Sequence, residues 1–234
     1  MSFQTEQMLV NGLIQHYITK NCISSGCMII PEAKSTWGVV DVLVIKYDKD
    51  IYAQRRKRIG RKRLKALSNL AAYALAHIYE KRKVSSEQLA SYLKLRNGTL
   101  LNILHQLKER HLVDVHDNGF IYSKQKAKNY FVKDICAFEV KLSKWRRVIV
   151  QAERHLWFTN SSYIVLPSLS DSVLTKVLSV CSETGIGFVV VDKNGSFKTI
   201  KEPLHREHID SYFAWKLNEA LLDGSLANAT RAIG

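Results

Sequence analysis

The chain has 234 residues, carries 35 Lys and Arg against 21 Asp and Glu for a formal charge of +14, and is 46% hydrophobic. That is long enough for one or two domains with cores of their own, and too apolar for a disordered chain. The longest apolar runs, such as Val42 to Ile45 and Phe188 to Val191, fall far short of the roughly 20 residues of a membrane helix, and the start MSFQTEQ has no basic-then-apolar signal, so a soluble cytoplasmic protein without a membrane partner is expected.

In chain order, Glu6, Val10, Leu13 and Tyr17 share one face of a predicted first helix, which should dock on a sheet. Val39 to Ile45 reads as an apolar, β-branched strand interrupted only by Asp41. Cys22, Cys27, Cys136 and Cys181 form no CxxC pair, so free buried thiols are expected and a zinc site is not. Charge then becomes uneven. Residues 48 to 133 hold 20 Lys and Arg against 7 Asp and Glu, whereas the two flanks together hold 15 against 14. The densest part is Arg55, Arg56, Lys57, Arg58, Arg61, Lys62, Arg63 and Lys65, a block that repels itself and suits a phosphate backbone. A solvated loop leading into a helix is the other reading of that block.

After the block, Leu64, Leu67, Ala71, Ala74, Leu75 and Ile78 predict an amphipathic helix ending near Lys81-Arg82-Lys83. Ser85 and Gln88 form a capping-box pattern for a second, shorter helix with Leu89, Ala90 and Leu93 inward. A turn at Lys94 to Asn97 leads into a third helix. There Leu100, Leu104 and Leu107 face inward, while Thr99, Asn102, Gln106 and Arg110 lie opposite, with side chains suited to base edges or phosphates. Leu112 to Val115 and Phe120 to Tyr122 are short strand-like runs joined by the hairpin signal Asp117-Asn118-Gly119. Over residues 64 to 123 this order resembles the winged helix-turn-helix family. The resemblance implies that the third helix enters the major groove of double-stranded DNA, with Arg96 and Asn97 at its start. Winged helices also serve as protein-contact modules, and the neighbouring basic block favours DNA.

Residues 1 to 47 are too few for an independent core, so the flanks are expected to fold together as one discontinuous domain, 1–47 with 134–234, around an insertion at 48–133. Ile135 to Leu142 alternates as a strand. Period two puts Glu139 and Lys141 on one face and Phe138, Val140 and Leu142 on the other. If the Asp41 strand lies beside it, two carboxylates and an ammonium converge. Carboxylates about 4 Å apart repel by about 1 kcal/mol in water and about 4 kcal/mol at an effective dielectric of 20. A divalent cation reverses that sign, and oxygen ligands select Mg²⁺ or Mn²⁺.

An Asp on one strand, in GVVDVLVI, followed by Glu-x-Lys on a later strand, in CAFEVKLSKW, resembles the PD-(D/E)xK nuclease superfamily. Glu32-Ala33-Lys34 is a second Glu-x-Lys, but no Asp precedes residue 41, so only Glu139-Val140-Lys141 has an upstream Asp. Val40 stands where many members carry Pro. The resemblance covers about residues 3 to 47 and 134 to 200. It implies an α/β fold with a restriction-endonuclease-like mixed-sheet core, αβββαβ, interrupted by the winged helix. It also implies that Asp41, Glu139 and the Val140 carbonyl hold Mg²⁺ and that Lys141 orients the attacking water. Glu6 resembles the helix-borne Glu that many members add to the metal site; a favourable acid in a first helical turn is the other reading. Gln151-Ala152, in a helix predicted from Trp145 to Trp157, looks like the Gln-Ala pair that follows the Lys motif in many such nucleases, and a buried structural Gln is the alternative.

Beyond that helix, strands at Tyr163 to Leu166, Ile186 to Val191 and Phe197 to Ile200 and helices at Asp171 to Glu183 and 206 to 222 are predicted, the last suited to core packing or dimerisation. The functional expectation is a metal-dependent endonuclease positioned on DNA by its own basic insert, nucleoid-associated when bound, with roles in phage defence, mobile elements or repair implied by resemblance alone. Cutting both strands with one site per chain calls for a homodimer. A non-catalytic DNA-binding regulator on a nuclease-like scaffold, and an RNA-directed protein, remain as rivals. No Gly-rich phosphate loop or GxSxG is present, and His205 with His208 reads as surface.

Overall fold

The computed structural model describes residues 3–22, 26–35, 38–60, 64–207 and 209–226. Helix α1 (Glu6–Leu13) continues through a π-helical turn at Ile14–Ile18 into α2 (Thr19–Cys22), and strands β1 (Gly26–Ser35) and β2 (Gly38–Tyr47) follow. Next come α3 (Lys49–Ile59), α4 (Asn69–Lys81), β3 (Lys83–Ser85), α5 (Ser86–Leu93), α6 (Asn97–Glu109), β4 (Val113–Val115) and β5 (Phe120–Ser123). The chain then runs through β6 (Val132–Val140), α7 (Trp145–His155), β7 (Ser161–Pro167), α8 (Asp171–Thr184), β8 (Gly187–Val191), β9 (Phe197–Lys201) and α9 (Ser211–Asp223). Among the described residues no helix is long and apolar enough to cross a membrane.

The chain divides into two compact units. Among the described residues, one takes those up to Tyr47 and Lys133–Ile209, and the other takes Asp48–Val132 and Asp210–Leu226. In the first, six strands form one sheet in the order β1-β2-β6-β7-β8-β9. It is an α/β arrangement with a mixed sheet: β6–β7 and β7–β8 are parallel, as crossover helices α7 and α8 require, while β1–β2 and β8–β9 are antiparallel. Strand alternation splits the core into two layers. Val42, Val44, Phe138, Val140 and Val165 pack with Leu9, Leu13 and Ile14 of the first helix; Ile164, Leu166 and Phe188 pack with Val148, Ala152, Val177 and Cys181 of α7 and α8. Cys136 and Cys181 are buried and Cys27 is half-buried, none of the three in a disulfide; the side chain of Cys22 lies outside the described residues.

The second unit packs α4, α5 and α6 around Leu75, Ile78, Leu89, Ile103 and Leu107, beside a three-stranded antiparallel sheet in the order β3-β5-β4. The local signals for these elements are met. Ser85 and Gln88 make both bonds of the capping box, and Gly119 takes φ 77° in the turn between β4 and β5. The first helix starts later than the apolar periodicity implies: Leu67 is buried in extended chain, and α4 begins at Asn69 because the Ser68 hydroxyl accepts from the Ala71 amide.

Two expectations are corrected here. The last helix does not belong with the flanks: α9 lies in the second unit, where Trp215 joins the core and the Asn218 carboxamide accepts from Phe131 N at 2.8 Å. The basic block is also not uniformly outward. Its first half is helical, and Arg55 is 1% exposed. The Arg55 guanidinium donates to both carboxylate oxygens of Glu219 and to the carbonyls of Asn129 and Arg110. Arg110, also assigned to the DNA face, is 3% exposed and bonds Glu219 Oε2 at 3.1 Å and Asp223 Oδ2 at 3.0 Å. Both arginines are structural, because α9 supplies buried carboxylates that local sequence cannot reveal.

Glu219 is fully buried between the two guanidinium groups. Removing its charge leaves two cations out of water, and breaking a buried pair typically costs about 3–5 kcal/mol. Urea denaturation of Glu219→Gln should show a loss of that order; a loss under about 1 kcal/mol would mean the network adds little to this unit.

Candidate active site

Asp41 lies on β2 and Glu139 near the end of β6, which are neighbours in the sheet. The strand ends one residue later, and Lys141 follows it. The Asp41 carboxylate caps this end: its Oδ2 accepts from the Val140 amide at 2.8 Å. Lys141 Nζ then donates to Asp41 Oδ2 at 3.2 Å, to Glu6 Oε2 at 3.2 Å and to the Val140 carbonyl at 2.9 Å. Glu6 reaches the cluster from the first turn of α1, which Thr5 caps through the Met8 amide. Asp41, Lys141, Glu6 and the Val140 carbonyl are therefore gathered around one ammonium.

Strand alternation puts Glu139 on the same face as Asp41, opposite Phe138 and Val140 and beneath α7; it is 0% exposed, and its carboxylate oxygens are buried without a hydrogen-bond partner. Burial raises its pKa from 4.5 to about 8, and the nearby Asp41 carboxylate adds to the rise. His155 Nε2 on α7 stands 3.4 Å from Glu139 Oε1, but burial pulls the imidazole down to about 4. Around neutral pH the contact is thus between a neutral carboxyl and a neutral imidazole. Lys141 behaves oppositely: burial works against its charge, but Asp41 and Glu6 outweigh it and raise the pKa. It stays an ammonium.

Gln151 sits on α7, half-buried, and its amide oxygen is buried without a hydrogen-bond partner. No side-chain bond ties it to Asp41, Glu139 or Lys141. His155 drew no expectation from the local pattern, because its partner lies 16 residues back on another element. His205 is exposed beside Asp134, and His208 lies outside the described residues.

Among the described residues no group of three or more His, Cys, Asp and Glu side chains stands ready to hold a metal ion. The donor set nevertheless fits a hard divalent cation. Two carboxylates and a carbonyl already share one cation, the ammonium of Lys141, and Glu139 offers two orphaned oxygens in the same strand end.

The expected DNA-facing residues separate into groups. Lys57, Lys65, Arg96, Asn97, Thr99 and Asn102 are exposed. Arg56 and Arg58 are exposed but donate to the carbonyls of Leu222 and Lys128. Gln106 accepts from the Ser68 amide at 3.3 Å and donates to Asn102 at 3.3 Å, so it braces the entry to α4. Arg61, Lys62 and Arg63 lie outside the described residues. No family model, curated protein or solved structure matches the chain.

The two shifted groups of the site give a pH signature. Between 4.5 and 8 the unfolded state gives up the Glu139 proton that the folded state keeps, so stability falls with rising pH; between 4 and 6.5 the unfolded state binds a proton at His155 that the folded state refuses, so stability rises. The two cancel where they overlap, leaving a net decline from about 6.5 to 8. Melting temperature in EDTA should drop across that interval for the natural chain and stay level for Glu139→Gln; an equal drop in both would place the titrating group elsewhere.

Proposed function

We propose that the chain is a metal-dependent deoxyribonuclease of the PD-(D/E)xK type that hydrolyses phosphodiester bonds of DNA bound by its own basic winged helix. The observation that carries this reading is the convergence of Glu6, Asp41 and the Val140 carbonyl on Lys141, with Glu139, whose oxygens accept no hydrogen bond, two residues before it at the end of β6. The element order supports it. Read without residues 48–132, the chain runs α1, β1, β2, β6, α7, β7, the αβββαβ order of a restriction-endonuclease-like core. Three helices with a small antiparallel sheet in the interrupting segment support the winged helix.

Asp41, Glu139 and the Val140 carbonyl are the residues that would hold Mg²⁺ or Mn²⁺, with Glu6 extending the set. When bound, such an ion neutralises charge developing on the phosphate and acidifies a water. Glu139 must lose its proton to serve as a ligand, which ties activity to pH more steeply than an exposed carboxylate would. Asp41 is already oriented by the Val140 amide, so little reorganisation is needed. Lys141 exchanges its carboxylate partners for the attacking water and a phosphate oxygen; its flexible stem and three donors permit the move. The exposed Lys57, Lys65 and Arg96 add affinity without chemistry.

Supercoiled plasmid incubated with the natural chain and with Asp41→Ala, each with Mg²⁺, Mn²⁺ or EDTA, tests the reading. Nicking or linearisation should require the metal and fall at least about 100-fold in the variant. Salt-sensitive binding without any metal-dependent cutting would instead favour a DNA-binding regulator.

A further inference from the structure

Residues 1–47 and 133–209, the unit that carries the candidate site, hold 14 Lys and Arg against 11 Asp and Glu. The whole excess sits in one place. Lys144, Arg146, Arg147 and Arg154 stand against Glu153 between residues 144 and 154, and the remainder of those segments carries 10 of each sign. A concentrated excess on an otherwise balanced surface marks a polyanion contact rather than general solubility.

The structure puts this charge on the outside of α7. The helix is held by its inner stripe: Val148, Ile149, Ala152 and Leu156 are buried against Ile164 and Leu166. Lys144, Arg146, Arg147 and Arg154 are all exposed. None of the four has an ion-pair partner among the described residues, in contrast to Arg55 and Arg110. The Arg146 guanidinium lies 4.6 Å from the Trp145 ring centroid, which limits its freedom without neutralising it. Arg147 and Arg154 are two helical turns apart, about 10.5 Å along the axis and so on one face. That distance spans about three phosphates of one DNA strand measured along the duplex axis. Lys144 is three residues beyond Lys141, within about 11 Å of chain.

We propose that the outer face of α7 is a phosphate-backbone contact of the catalytic unit itself, gripping duplex DNA next to the scissile bond independently of the winged helix. This deepens the nuclease reading and rests on it for the identity of the DNA as substrate. It also changes what the insert is for. Affinity is divided between the units, and the share on α7 is rigidly coupled to Lys141 through three intervening residues, so it sets where along the strand the carboxylates meet the backbone.

The test is fluorescence anisotropy of a 30-base-pair duplex (~30, an arbitrary length of about three helical turns) in EDTA, across a salt series, for the full natural chain and for the triple variant Arg146→Gln, Arg147→Gln, Arg154→Gln. Each lost phosphate contact reduces the slope of log affinity against log salt by about 0.9, so the triple variant should lose roughly 2–3 from the slope and at least about tenfold in affinity near 100 mM salt. Arg147→Gln and Arg154→Gln alone should each lose about 0.9, which keeps the test decisive should the triple variant fail to fold. A natural chain that binds steeply while the variants keep its slope would overturn the α7 contact and leave the nuclease reading standing. Salt-insensitive or absent binding by the natural chain would overturn both.

Discussion

The hydrogen bond from the Val140 amide to Asp41 joins residues 99 positions apart and closes the end of the sheet where β6 leaves off. A backbone donor is thereby satisfied by a carboxylate instead of by a neighbouring strand. This holds Asp41 in one orientation and delivers the next side chain, Lys141, onto the same oxygen. Period-two geometry leaves Glu139, two residues before Lys141, on the Asp41 face of the sheet, under α7. The candidate site follows from that one contact: a strand end that presents an ammonium among oxygens and, beside it, a carboxyl kept neutral by burial.

The molecule handles buried charge in two different ways. Glu219 is ionically matched, flanked by Arg55 and Arg110 with Asp223 and Asn218 completing the bonds. Glu139 has no such match, and its oxygens go unpaired beside a neutral His155. A native fold rarely tolerates an orphaned carboxyl in its interior unless something outside the protein completes it. The first arrangement keeps its charges; the second keeps its carboxyl neutral.

Much of this was legible locally. The capping box at Ser85, the turn at Gly119, the apolar stripe of α4 and the strand containing Asp41 rest on interactions within a few residues, and the structure contains them, with α4 starting five residues after Leu64. The pairing of Asp41 with Glu139-Val140-Lys141 was inferred from order and strand parity, and the adjacency of β2 and β6 is what that inference needed. The local pattern does not mark strand β1, since Pro31, Glu32 and Lys34 blur its alternation, and only the αβββαβ order implied by the resemblance called for a strand there; ten residues of β2 offer it a partner edge.

The sequence by itself determined the α/β class, the concentration of charge between residues 48 and 133, and the few ionisable groups set among apolar strands, because periodicity and composition are local quantities. Only the tertiary structure decided which charges are surface and which are core. Arg55 and Lys57 are two residues apart in the same helix, yet one is sealed against Glu219 and the other meets water. The chain segment that makes the difference, α9, arrives more than 150 residues later, and burial by a distant segment leaves no trace in the local pattern. The same holds for α7, where the inner stripe fixes Arg146, Arg147 and Arg154 outward.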